Sequence, residues 1–254
     1  MHGMADPDAF FVRARRRASY AWEFQMTLTA TLAIACALLL LGRYLNGMAS
    51  AQHARRLSEL RRLALQEDLQ ILRLLQQHRG LAALHELPAV ALRHALAAEL
   101  GQRLQQRGAL PDPPAVASGW ARLRDRPADF DGHCALIEKL IAAIESRQPL
   151  GQACRELEAL ARLRGLCVIA ASQQACPPGV QARLNRLCRR LSHEPHGELQ
   201  RLLGRLQREL IDAPRPGLSA PQCFALLTPF IDARLQSIQH RLQHEGAQAL
   251  HGPG

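Results

Sequence analysis

Apolar residues recur at three- and four-residue spacing along nearly the whole chain, the period of one helix face. The stretch Leu69-Gln-Ile-Leu-Arg-Leu-Leu-Gln-Gln-His-Arg-Gly-Leu-Ala-Ala-Leu84 carries this period, yet Arg79 falls on its apolar side, in register with Leu72, Leu75 and Ala82 or Ala83. A second stretch repeats the arrangement with Leu157, Leu160, Arg164, Cys167 or Val168, and Ala171. Both arginines are followed by Gly and Leu, as Arg79-Gly80-Leu81 and Arg164-Gly165-Leu166. Arginine keeps its proton in a protein, so burying it requires either an internal carboxylate or a bound anion.

The first element in chain order is the apolar run 26–45, close to the ~20 residues that span a bilayer. Arg43 near its end is placed to snorkel. The n-region is long, and Ala49-Ser50-Ala51 lies far beyond the apolar core. This predicts an uncleaved anchor rather than a signal peptide. Residues 1–25 form a basic tail (Arg13, Arg15, Arg16, Arg17) ending in Tyr20, Trp22 and Phe24. Arg43, Arg55, Arg56, Arg61 and Arg62 balance that charge on the far side. Because large domains translocate largely regardless of charge, the tail is placed in the cytoplasm and residues from ~46 onward in the periplasm, with 26–45 crossing a bacterial inner membrane.

The helical period then runs over 49–87, ended by Pro88, and resumes over 89–107. Pro and Gly mark 108–114 as a loop, followed by a short helix around Trp120, expected as a core or interface anchor. Helices follow over 128–146, through Arg164 to a stop at 176–179, over 180–191 and over 198–211, after a turn at 193–197. Ser219 and Gln222 read as the capping box of a last helix over 220–245, which Pro229 should kink. The pattern predicts an all-α fold, a long-helix bundle on a single N-terminal transmembrane helix. Its parts are a tail (1–25), an anchor (26–45), a helical domain (46–247) and a disordered tail (248–254).

Composition narrows the function. Aromatics are only 4% of the residues and Leu, Ala and Arg dominate, so the β-branched runs of strands are missing. The net charge is +10, carried almost wholly by Arg because Lys139 is the only lysine. Those arginines are spread through every helix without RNA-module aromatics, so no nucleic-acid partner is expected. The seven cysteines include no Cys-x-x-Cys pair and the eleven histidines no His-Glu-x-x-His motif. The cysteines are expected as small core side chains. No cofactor or metal is predicted, and no nucleophile–base arrangement points to an enzyme. His78 and His85 are expected to be solvated. The Arg55-Arg56 and Arg61-Arg62 pairs should form a solvated face, with attraction to lipid headgroups as the alternative.

In order, these landmarks resemble the nitrate- and nitrite-sensing (NIT) helical domain of bacterial receptors and antiterminators. The family's Leu-Gln-x-Glu-Arg-Gly-type motif is matched by Leu75-Gln-Gln-His-Arg-Gly80, and its Gly-x-Glu-Arg-Ala-type motif loosely by Ala161-Arg-Leu-Arg-Gly165. Trp120, the run Phe130-Asp-Gly-His-Cys-Ala-Leu-Ile137 and Thr228-Pro-Phe-Ile-Asp232 also resemble family positions. The likeness covers about 57–243. It implies a paired four-helix-bundle sensor, usually a homodimer, with nitrate or nitrite held between helices by Arg79 and Arg164. Gly80, Gly165, Ala82 and Ala161 would leave room beside them. His78, Leu163 and Gly165 depart from the family pattern, removing two carboxylates, while Arg162 adds positive charge nearby. The sequence contains no output segment, so the expectation is an anchored oxyanion sensor that signals through a separate protein. The alternative is a ligand-free helical scaffold of a membrane complex.

Overall fold

A computed structural model describes the backbone of residues 7–193 and 197–250 and the side chains of residues 31–193 and 197–244. The described residues form helices and no strands: α1 (Pro7–Gly80), α2 (Leu87–Gly108), α3 (Ala117–Leu123), α4 (Phe130–Glu145), α5 (Gly151–Ser172), α6 (Pro178–Leu191), α7 (Gly197–Leu206) and α8 (Ala220–Leu250). A π-helical turn, Gln207–Ile211, extends α7. The chain divides into two compact units, Met1–Ser58 and Glu59–Gly254.

The first unit is helical from Pro7. By length and composition, α1 includes one segment apolar enough to cross a membrane, with mean hydropathy 1.6 over its best window. Leu38, Leu39 and Leu40 are 62, 71 and 69% exposed, so no core among the described residues covers them. The side chains of the four tail arginines and of Tyr20, Trp22 and Phe24 lie outside the described residues.

The second unit is built around α5, which packs against α8, α6 and α4. Its buried positions include Leu157, Leu160, Leu163, Cys167 and Val168, so α5 is apolar on more than one side. This is the pattern of a central helix rather than a surface one. Asp129 caps α4 by accepting from the Gly132 N–H at 2.8 Å. The capping box of α8 forms in both directions: Gln222 Oε1 accepts from Ser219 N–H at 2.8 Å, and Ser219 Oγ from Gln222 N–H at 3.4 Å. All seven cysteines are free thiols.

Three boundaries differ from the sequence expectation. The helix expected to reach residue 87 stops at Gly80. Beyond it the chain tightens into turns, with Ala82 N–H donating to Arg79 O at 3.2 Å and Leu84 N–H to Leu81 O at 3.1 Å. Leu81 and Leu84 are buried in those turns, so their apolar spacing mimics another helical turn. The helix expected over 198–211 is α only to Leu206. The last helix runs through Pro229 to Leu250, past the expected end at 245. Residues 251–254, and the central part of the turn expected at 193–197, lie outside the described residues.

Candidate functional site

The apolar seams of α1 and α5 bring Arg79 and Arg164 into the core of the second unit, each 1% exposed. Their surroundings differ. Arg79 is held by a carboxylate that the sequence reading missed: Nη1 donates to Glu158 Oε1 at 2.5 Å and Nη2 to Glu158 Oε2 at 3.1 Å. This two-pronged geometry suits a planar guanidinium. Gln76 Nε2 adds a bond to Glu158 Oε2 at 3.0 Å, and Arg162 Nε one to Glu158 Oε1 at 2.7 Å. Burial pulls the Arg79 pKa down, but the charge and hydrogen bonds of Glu158 outweigh it, and the pKa ends above its ordinary value. Nη1 also reaches Cys134 Sγ at 3.1 Å, and the guanidinium lies 5.0 Å from the centre of the Phe130 ring. Burial raises the Cys134 thiol pKa, so it stays protonated as an accepting thiol beside the ion pair.

Arg164 has only neutral hydrogen-bond partners among the described residues. Nη1 donates to Thr228 Oγ1 at 3.1 Å and Nη2 to the Gln76 carbonyl at 3.2 Å. The guanidinium sits 4.4 Å from the centre of the half-buried Phe224 ring. Nε, like Nε of Arg79, is buried without an acceptor. Burial first, and the Arg79 charge second, lower the Arg164 pKa to about 10. Asp232 offsets this in part, although its own ion pair is with Arg73, at 3.5 Å. Arg164 is therefore a buried cation surrounded by dipoles and a ring face.

The two glycines have specific tasks. A Cβ on Gly80 would lie 3.2 Å from Arg164 Nε and 3.2 Å from the Phe224 ring. One on Gly165 would lie 2.7 Å from the Phe130 ring. Gly80 thus admits the Arg164 guanidinium and Gly165 admits Phe130. Ala161, one turn before Gly165 on α5, is buried.

His78 is 1% exposed, which corrects the expectation of a solvated imidazole; His85 is exposed as expected. The reason is a seam between α1 and α4. His133 Nδ1 lies 2.7 Å from the Asp129 carbonyl, and His133 Nε2 lies 3.1 Å from His78 Nδ1. The carbonyl can only accept, so His133 Nδ1 carries a proton, and its Nε2 accepts from His78 Nδ1–H when both rings are neutral. Trp120 meets His78 edge-on at 5.0 Å and is buried as predicted. Burial lowers the His78 pKa to about 4, helped by His133, Arg93 and His94. Beside this seam is a half-open cleft of ≈ 880 Å³ lined by His78, Trp120, Arg93, His94, Arg124 and Asp125, among others.

A second buried ion pair, also missed, joins α1 to α2. Arg107 Nε donates to Asp68 Oδ1 at 2.7 Å and Nη2 to Asp68 Oδ2 at 3.1 Å, and Arg147 reaches Asp68 at 2.7 Å. Arg107 also donates to the carbonyls of Pro111 and Asp112, pinning the loop after α2. Asp68 stands at the spacing of Leu72, Leu75 and Arg79, one turn earlier, and that register was its signal in the sequence. Among the described residues no group of three or more His, Cys, Asp or Glu is arranged around a metal position. No protein family, curated protein or solved structure matches the chain.

Proposed function

We propose that the chain is a single-pass, membrane-anchored binding protein of the nitrate- and nitrite-sensing type. Its helical unit takes a small planar oxyanion, nitrate or nitrite, at Arg164, and a separate protein partner carries the signal. The observation that supports this most directly is the electrostatic state of Arg164: a cation 1% exposed, met by a hydroxyl, a carbonyl and a ring, with Nε–H unused. Charge-assisted bonds to an oxyanion would replace weaker neutral ones, and the anion would raise the lowered Arg164 pKa. Arg79 contributes its own unused Nε–H and a second positive charge. The half-buried Phe224 ring is the cover that would have to turn aside for entry.

In this reading α1 crosses the inner membrane with its N-terminus in the cytoplasm, and the helical domain lies in the periplasm as a homodimer. Arg79 and the apolar anchor segment belong to the same helix. A ligand that favours one packing of α1 on α5 shifts a pre-existing equilibrium between packings.

A second reading, a helical scaffold of a membrane complex without a ligand, is favoured by one observation. Arg79 already has a two-pronged carboxylate in Glu158, leaving only one of the two arginines without a counter-charge. Calorimetric titration of the detergent-solubilised full chain with nitrate, nitrite, sulfate and chloride separates the two. The sensor reading expects saturable binding of a planar oxyanion that Arg164→Met abolishes in a folded protein. No heat and no thermal shift with any of the four anions would establish the scaffold reading.

A further inference from the structure

We propose that His240 and His244 form a chelating site for a tetragonal transition-metal ion, with Cu(II) as the preferred occupant. The two residues stand four apart on α8, the spacing that stacks side chains on one helix face. Both are exposed. Their Nε2 atoms lie 3.0 Å apart and their ring centres 4.2 Å apart. The close contact is thus between the two Nε2 ends of the imidazoles.

Without a metal, an Nε2–H of one ring can donate to Nε2 of the other across this distance, so a proton occupies the space between the two nitrogens. A metal ion can take that place. Imidazole nitrogens bind first-row divalent ions at about 2.0–2.1 Å, so two nitrogens 3.0 Å apart subtend roughly 91–97° at the metal. A tetrahedral site would need a separation of roughly 3.3–3.4 Å. The observed spacing therefore matches neighbouring corners of a square-planar or tetragonal site, the geometry of Cu(II) and Ni(II). Affinity rises through the divalent series to a maximum at Cu(II), which orders the candidates.

The site has two protein ligands rather than three, so water fills its remaining positions and the ion exchanges readily. Because both rings are already solvated, binding displaces no core contact. Arg241, next in sequence and also exposed, is the nearby cation that opposes binding. The ion would brace α8 between residues 240 and 244 by joining consecutive turns.

The test is Cu(II) titration of the full chain in detergent at neutral pH, followed by electron paramagnetic resonance and by competition with a chelator of known affinity. The expected result is one tightest site whose spectrum carries two equatorial nitrogens. His240→Ala and His244→Ala should each weaken that site by about a hundredfold, because losing one ring removes the intramolecular second bond. His53→Ala, on exposed α1, should leave it unchanged. Gln239→His combined with His240→Gln keeps the histidine count but moves the rings five residues apart; it should lose the site as the alanine variants do. Unaltered affinity and spectrum in the alanine variants, or tight binding retained by the register variant, would overturn the proposal.

Discussion

At Arg79 two large electrostatic terms oppose each other. Removing a guanidinium and a carboxylate from water costs several kcal/mol per ion, and the two-pronged bond to Glu158 offsets that cost only while both partners remain. Glu158→Ala leaves a buried, unpaired cation, so it should destabilise the protein by about 3–5 kcal/mol. The double variant Arg79→Leu/Glu158→Leu should recover most of that loss, since a well-packed apolar pair of similar volume is often no less stable. Denaturant titration of the three proteins checks both expectations. A double variant as unstable as the single would show that Gln76 and Arg162, the other partners of Glu158, carry the stability instead. The sequence made the burial of Arg79 and Arg164 legible through their register, but left open which counter-charge each would meet. Glu158 was hidden because Arg162 follows it by four residues, the spacing of an ordinary surface pair. Its contact with Arg79 crosses from one helix to another, 79 positions along the chain.

Between elements, the α1–α4 contact is a chain of two imidazoles ending on the Asp129 carbonyl, and it predicts a pH dependence. The His78 pKa falls from 6.5 to about 4 in the folded protein, and burial lowers that of His133 as well, against its bond to Asp129. The unfolded chain therefore binds more protons than the folded one in this range, and stability rises with pH. The contribution of this seam is fully present above about 6.5 and is lost as pH falls through about 4. In His78→Asn the amide can keep a donor towards His133 while removing one titrating group. Its melting temperature should fall less steeply than the wild type's over that interval. Equal slopes would mean that other groups dominate the acid response. At this scale the helices themselves were legible, because Pro, Gly and the Ser219 capping box punctuate the chain. The end of α1 was not, because Leu81 and Leu84 keep the apolar period while packing into turns. Nor was the burial of His78, whose partners are Trp120 and His133 of later elements.

For the whole molecule, the sequence showed an all-helical protein with an apolar N-terminal segment, since both follow from local periodicity and hydropathy. The arrangement of charges in the core did not follow, because it depends on which helices become neighbours. One physical question decides how the two units work: whether lipid covers the exposed leucines of α1. A core helix of similar composition would bury them, but Leu38 and Leu40 are 62 and 69% exposed. If lipid covers them, the full chain expressed in bacteria should stay in the membrane pellet after extraction with alkaline carbonate. An aspartate at the centre of a span costs about 2.5–3.5 kcal/mol, and each lost leucine forfeits about 0.3–0.6 more. Leu38→Asp combined with Leu40→Asp should thus disfavour insertion by roughly 6–8 kcal/mol and move the protein to the soluble or aggregated fraction. Substitutions at Leu57 and Leu60, beyond the apolar core, should leave it in the pellet. Wild-type protein released by carbonate would mean that another protein, not lipid, covers the leucines, and the proposed anchored sensor would have to be redrawn as a subunit held by its N-terminal helix.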